Sequence, residues 1–271
     1  MKLLKKIIKM IDLQEEVAAL VISNFKSLNF EKYKEDIKQL SNIKNAPDAR
    51  NRLIEALEPD SDNMRILTCM LYGLTYTYHS YQKLGINDEI FSSTMKCFTR
   101  FLQEHWNGYQ EWVFDRDWWV YRQIAMTIFR LGELEYEMKD NENGKYISIH
   151  IPSDANFSMD QVKTSISYSL WFFEKYFPDY TDVEYRCHSW LLSPHLKTLL
   201  PENSNILRFQ SLFTFVKEDY SSSGYIEWVY KRKYQDYNEL PETTTLQRNM
   251  KRYLLDGKTV SIGMGVLKIS K

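Results

Sequence analysis

The sequence predicts an α+β protein: an all-helical N-terminal domain followed by a mixed β-sheet domain with flanking helices. Two periodicities carry this reading. Up to about residue 128 apolar residues recur every three or four positions, which places them on one helical face. From Leu131 the period falls to two, as a half-buried strand requires. Low glycine and proline contents, 9 and 7 in 271 residues, point to long elements and few elaborate loops.

The clearest helix spans about 62–84, with Met64, Leu67, Leu71, Leu74, Tyr78 and Tyr81 on one face. Ser61 or Asp62 can cap its start and Gly85 can end it in the left-handed conformation. A second stripe, Phe91, Met95, Phe98 and Leu102, follows Asn87. A third, Leu13, Val17, Leu20, Val21 and Phe25, marks a helix near 13–28, and shorter helices fit 29–40 and 47–57. The run from His105 to Tyr121 carries Trp106, Trp112, Trp118 and Trp119, a density that suits a seam between domains or the rim of a hydrophobic entrance. A last helix fits 116–129.

Beyond it, Leu134, Tyr136 and Met138 alternate with Glu133, Glu135 and Glu137. After a turn at Asn141–Gly144, Ile147, Ile149 and Ile151 alternate with Ser148 and His150. The pair reads as a β-hairpin. Pro152 ends the second strand, and Ser158 with Gln161 fits a capping box opening a helix over 159–177. Its stripe is Met159, Val162, Ile166, Leu170, Phe173 and Phe177, with Pro178 as the stop. Then come a strand at 185–192, a helix opened by Ser193-Pro194, and a short helix at 204–210. Strands at 212–216 and 225–230 read as a hairpin around Ser221–Gly224. A helix fits 245–255, ended by Gly257, and 259–267 reads as a strand or extended segment.

Composition narrows the function classes. Lys plus Arg number 35 and Asp plus Glu 36, so there is no general attraction to nucleic acid. No apolar run approaches the roughly 20 residues of a membrane span. The basic, amphipathic start MKLLKKIIK reads as a surface helix or a membrane-surface anchor, and its lysines interrupt any secretory apolar region. Cys69, Cys97 and Cys187 lie far apart, with no metal-site spacing, and read as buried thiols of a cytoplasmic protein. No feature sets an oligomeric state.

The order β–β–α–β–α–β–β over 131–230 resembles the second half of the GNAT acyltransferase fold. Particular stretches are similar to acyltransferase-domain proteins that join a helical N-terminal domain to a GNAT-like C-terminal domain. They are Leu131-Gly132-Glu133-Leu134-Glu135-Tyr136, Ile149-His150-Ile151-Pro152-Ser153-Asp154-Ala155, and Cys187-His188-Ser189-Trp190-Leu191-Leu192-Ser193-Pro194. Leu200 to Gln210, Leu246-Gln247-Arg248, Gly257 and Gly265 continue the likeness. The resemblance implies a helical N-terminal domain over 1–110 and a GNAT-like acyltransferase domain over 111–271. It also implies an N-terminus of helix 159–177 that receives the pyrophosphate of acyl-CoA. Strand 185–192 would splay from strand 146–151, with the pantetheine arm in the gap. The implied activity is direct acyl transfer from acetyl-CoA or another acyl-CoA, without a metal, to an amine of a small molecule or peptide. The loop Ser153–Phe157 departs from the family pattern in having no glycine. A non-catalytic or regulatory relative is therefore the alternative.

Acyl transfer needs a base for the amine, a polarised carbonyl and a proton for the leaving thiolate. Glu135 is the candidate base and His150 a candidate proton relay, although Glu133, Glu135 and Glu137 equally describe one solvated sheet face. Ser189 is the third catalytic candidate. It lies on the opposite strand face from His188, so the two cannot pair, and it lacks the context of a nucleophile elbow. The candidate cofactor-binding residues are Ser153, Asn156 and Ser158 at the helix start, with Arg208 and Arg248 as cations able to reach the phosphates. Arg248 belongs to a basic group with Lys231, Arg232, Lys233, Lys251 and Arg252 that otherwise reads as a solvated face.

Overall fold

The computed structural model describes residues 1–268. The chain divides into two compact units, Met1–Arg130 and Leu131–Lys271. The first unit holds α1 (Lys2–Met10), α2 (Glu15–Ser27), α3 (Phe30–Gln39), α4 (Ala46–Leu57), α5 (Met64–Leu84), α6 (Asp88–Met95), α7 (Cys97–Tyr109) and α8 (Asp117–Ile124).

Helix α5 is the axis of this unit, with α1, α2, α3, α4 and α8 packed on it. That is why its burial extends well beyond one stripe, to Ile66, Cys69, Met70 and Thr77. Asn63 precedes it in the left-handed conformation, and its first amides are held by the Asp60 and Asp62 carboxylates rather than by an N-cap side chain. Gly85 ends it at φ +71°. The basic N-terminal segment is a core-packing helix: Leu4 and Ile7 are fully buried, and Lys6 reaches Tyr78 and, at 3.2 Å, Asp88. Trp106 stacks on Trp112 at 4.5 Å between ring centroids.

The helix expected over 116–129 stops at Ile124. Met126 takes a left-handed conformation at φ +57°, and the chain leaves as strand β1 (Ile128–Leu131). Next come β2 (Leu134–Asn141), β3 (Gly144–His150), α9 (Met159–Tyr176), β4 (Glu184–Ser189), a 3-10 turn at Trp190–Leu192, α10 (Leu196–Leu199) and α11 (Asn205–Ser211). They are followed by β5 (Phe213–Asp219), α12 (Tyr225–Tyr230), α13 (Thr245–Leu255) and β6 (Ile262–Leu267). The mixed six-stranded sheet has the order β1-β2-β3-β4-β6-β5. The pair β2–β3 is antiparallel and β3–β4 parallel, while β6 is antiparallel to both β4 and β5.

Several expectations are corrected. Residues 225–230 form a helix, because Tyr225, Ile226, Val229 and Tyr230 follow helical spacing and all four are buried. The partner of β5 is therefore the C-terminal strand β6. Strand β4 ends at Ser189, whose Oγ accepts the Leu191 amide and turns the chain into the 3-10 segment. Ser158 occupies the N-cap position of α9 but its side chain makes no cap bond, so the expected capping box does not form there. One forms instead between Thr244 and Gln247 at the start of α13. On α9 the buried face carries Ser165 and Ser169 in place of the expected Ile166 and Leu170.

Candidate active site

Ser165 explains the orientation of β2. Its Oγ accepts the Leu134 amide at 3.2 Å, bonds the Leu131 carbonyl and lies 3.0 Å from the Tyr136 hydroxyl. Tyr136 therefore points to the α9 side of the sheet, where its register partner Ile149 is also buried. Burial pushes the hydroxyl pKa of Tyr136 upward and that of Tyr185 up to about 12. Successive strand residues alternate faces, so Glu135, Glu137, Ser148 and His150 share the opposite face.

That face is not a solvated one. Glu135 is 3% exposed and Glu137 2%. A buried carboxylate must be paired. Glu137 Oε2 lies 2.8 Å from His150 Nε2, and its Oε1 lies 2.7 Å from Lys139 Nζ. A carboxylate only accepts, so His150 donates through Nε2–H. Glu135 is the Cα register partner of His150 across the two strands.

The parallel ladder between β3 and β4 runs from Tyr146↔Glu184 to Ile149↔Cys187 and stops there. Both strands continue, β3 to His150 and β4 to Ser189, but β4 is then paired only with β6, as His188↔Met264 and Ser189↔Gly263. Ile149↔Cys187 is the last row in which the two strands are register partners. Ile149 and Cys187 both point to the buried side, so the next residues, His150 and His188, both lie on the polar face. His188 Nε2 is 2.9 Å from Asp219 Oδ2. The Ser221 hydroxyl and amide, together with His188, hold the Asp219 carboxyl down to about 2.

Glycine lets the chain close under this row. A Cβ on Gly263 would sit 2.3 Å from the Leu192 carbonyl oxygen, and one on Gly265 2.9 Å from Phe213 Cβ. On the buried face, Ser193 and Ser261 bond each other at 3.0 Å, and Ser261 donates to Glu218 at 2.7 Å. Both nitrogens of His195 are occupied, by Tyr220 and Tyr253 hydroxyls at 2.9 Å each, which makes His195 a fixed hub.

The candidate cofactor residues occupy several places. Ser153, Asn156 and Ser158 form the approach to α9. Asn156 Oδ1 accepts the Ser158 amide at 2.9 Å, while the Asn156 amide donates to Glu133 Oε2 at 2.8 Å. Arg208 is exposed in the last turn of α11. Arg248 is exposed at the start of α13, where it bonds the Glu242 and Thr243 carbonyls and the Thr245 hydroxyl. Lys251 pairs with Glu242 at 3.0 Å. Ser189 is engaged in capping the 3-10 turn.

Two family models tile the chain. An N-acyltransferase N-terminal domain matches residues 3–126, and a GNAT-like C-terminal domain matches residues 128–267. The chain belongs to this N-acyltransferase family with a GNAT-like C-terminal domain. The fold of the family is also that of solved acyltransferases. One, in complex with decanoyl-CoA and teicoplanin, is 17% identical with a TM-score of 0.81, the match covering 98% of this chain and 87% of the other. A mutant acyltransferase in complex with octanoyl-CoA is 17% identical with a TM-score of 0.85, covering 100% and 88%. An acyltransferase in complex with decanoyl-CoA is 19% identical with a TM-score of 0.72, covering 98% and 99%. No curated protein matches the chain significantly. Among the described residues no helix is long and apolar enough to cross a membrane.

Within this family member, the structure brings together Glu137 with His150 and His188 with Asp219, contacts that sequence reasoning passed over. Glu137 was visible as one of three alternating glutamates. Its diagonal reach to His150, rather than a directly opposed contact, follows from the register of the hairpin. His188 and Asp219 are 31 residues apart, and no local pattern links them.

Proposed function

We propose that this N-acyltransferase family member transfers an acyl group directly from acyl-CoA to an amine of a small molecule or peptide. The observation that carries the reading is the parting of β3 and β4 after Ile149↔Cys187, with the His150–Glu137 pair at the rim of the gap. Strand edges that lose their partner present N–H and C=O groups, and the amides of a pantetheine arm are suited to bond them. The arm in this gap puts its thioester at the polar face, beside His150. The α9 N-terminus, which follows β3, offers its first-turn amides and dipole to the pyrophosphate.

In this reading the amine nitrogen attacks the thioester carbonyl. His150 takes the amine proton, and Glu137 holds the ring and stabilises its charge. Glu135, buried beside the pair, draws the acceptor ammonium to the site. Solved acyltransferases of the same fold hold decanoyl- or octanoyl-CoA, and one also holds teicoplanin, a glycopeptide. They support an acyl-CoA donor and an acceptor of small-molecule or peptide type. Three buried thiols and a CoA donor suit the cytoplasm.

One observation favours the alternative, a non-catalytic relative. The loop before α9 has no glycine, and its Asn156 amide, which could bind an anion, is taken by Glu133. Calorimetric titration with CoA and decanoyl-CoA separates the two. Saturable binding, with thiol release when an amine is added, supports the transferase. Absence of heat and of any thermal shift at millimolar CoA supports the alternative.

A further inference from the structure

The gap between β3 and β4 is flanked by two histidines, not one. His150 and His188 are the first residues beyond the last paired row, one on each strand and both on the polar face. Each donates Nε2–H to a carboxylate, His150 to Glu137 and His188 to Asp219. Their surroundings differ in net charge. On the β2 side lie the buried carboxylates Glu135 and Glu137, with Lys139 on Glu137. On the β4 side the row continues from His188 through Met264 to Lys217, and Arg186 lies one row earlier on the same face. Arg186 is paired with Glu184 at 2.6 Å. Asp219 is already engaged by the Ser221 hydroxyl and amide. Two carboxylates against one lysine draw a cationic amine to the His150 side, whereas on the His188 side Arg186 and Lys217 offset Glu184 and Asp219, so a developing thiolate meets no excess negative charge there.

We propose that His188, held by Asp219, is the acid that returns a proton to the departing CoA thiolate. This rests on the acyl-transfer reading above. The His188 side chain is 52% exposed, and among the described residues nothing hydrogen-bonds its Nδ1. As imidazolium it keeps one N–H on Asp219 and presents the other to sulfur. The balance closes without a further reactant. The C–N bond forms as the C–S bond breaks, and the C–S electron pair goes to sulfur. The acceptor ammonium first gives one proton to solvent and so frees its lone pair; His150 then receives the second proton from the attacking amine, and His188 supplies one to the thiolate. Solvent then restores both rings. His195, by contrast, has no nitrogen to spare.

The test uses CoA itself as the probe and needs no acceptor. CoA is bound to the full chain and its thiol is titrated by thiolate absorbance, with calorimetry establishing that CoA is bound. An imidazolium beside the sulfur should lower the thiol pKa by about one unit or more relative to free CoA. His188→Gln should return it to the free value while CoA still binds, and Asp219→Asn should relax it in the same direction. CoA that binds with the same thiol pKa in the unmodified protein and in His188→Gln overturns the assignment and leaves the acyl-transfer reading standing. CoA that does not bind at all, as read by calorimetry, overturns both.

Discussion

His150 hydrogen-bonds Glu137 at 2.8 Å, although its Cα partner across the hairpin is Glu135. The pairing divides the work of two buried carboxylates: one holds the imidazole and the other stands beside it.

Glu137→Gln should therefore lower kcat about 10- to 100-fold with little change in the Kd for acyl-CoA, since the amide keeps the shape but not the charge. Glu135→Gln should lower kcat/KM for the amine more than it changes acyl-CoA affinity. Stopped-flow thiol release together with calorimetry checks both. Equal, unchanged turnover in the two variants across a pH series would remove β2 from the mechanism.

Glu133 occupies an amide that an incoming phosphate would use, and adds negative charge at the start of α9. Glu133→Ala should tighten CoA binding several-fold, in keeping with about 0.3–1 kcal/mol for a charge at a helix N-terminus. Calorimetric Kd values at low salt read this directly, and weaker binding in the variant would argue against phosphate at this loop.

Gly263→Ala places a methyl group against the Leu192 carbonyl, where the 3-10 turn crosses β6. Backbone must move to admit it, so the cost should be about 1–3 kcal/mol. Urea unfolding of the variant measures it. Gly85→Ala meets no neighbouring atom but keeps φ +71°, so it should cost only about 1 kcal/mol.

Burial pushes the Cys69 and Cys187 thiols up to about 12. At pH 8 the thiolate fraction of each is then on the order of one in ten thousand. Iodoacetamide should leave both unmodified in the native protein over hours, and label them quickly in denaturant. Mass spectrometry of peptides gives the answer residue by residue, and native labelling of Cys187 would show that β4 opens.

The sequence by itself determined that a helical half gives way to sheet near residue 130, though not strand β1, and which side chains of β2 and β3 share a face. The change of period near Leu131, the alternating glutamates and the Ile147–Ile149 alternation with His150 are local, because backbone geometry repeats every 3.6 or 2 residues. The elements from β2 to β5 and the helix after Pro152 were legible for the same reason, whereas the expected final strand at 225–230 is a helix. Only the tertiary structure decided what those faces meet. Glu135 and Glu137 are buried rather than solvated, β5 pairs with β6 instead of residues 225–230, and the parallel ladder ends at Ile149↔Cys187. His188 finds Asp219 across an intervening strand that is later in the chain than either. Pairing between distant strands is chosen by burial and close packing, here by the bare backbone of Gly263 under Leu192, and no local period encodes that choice.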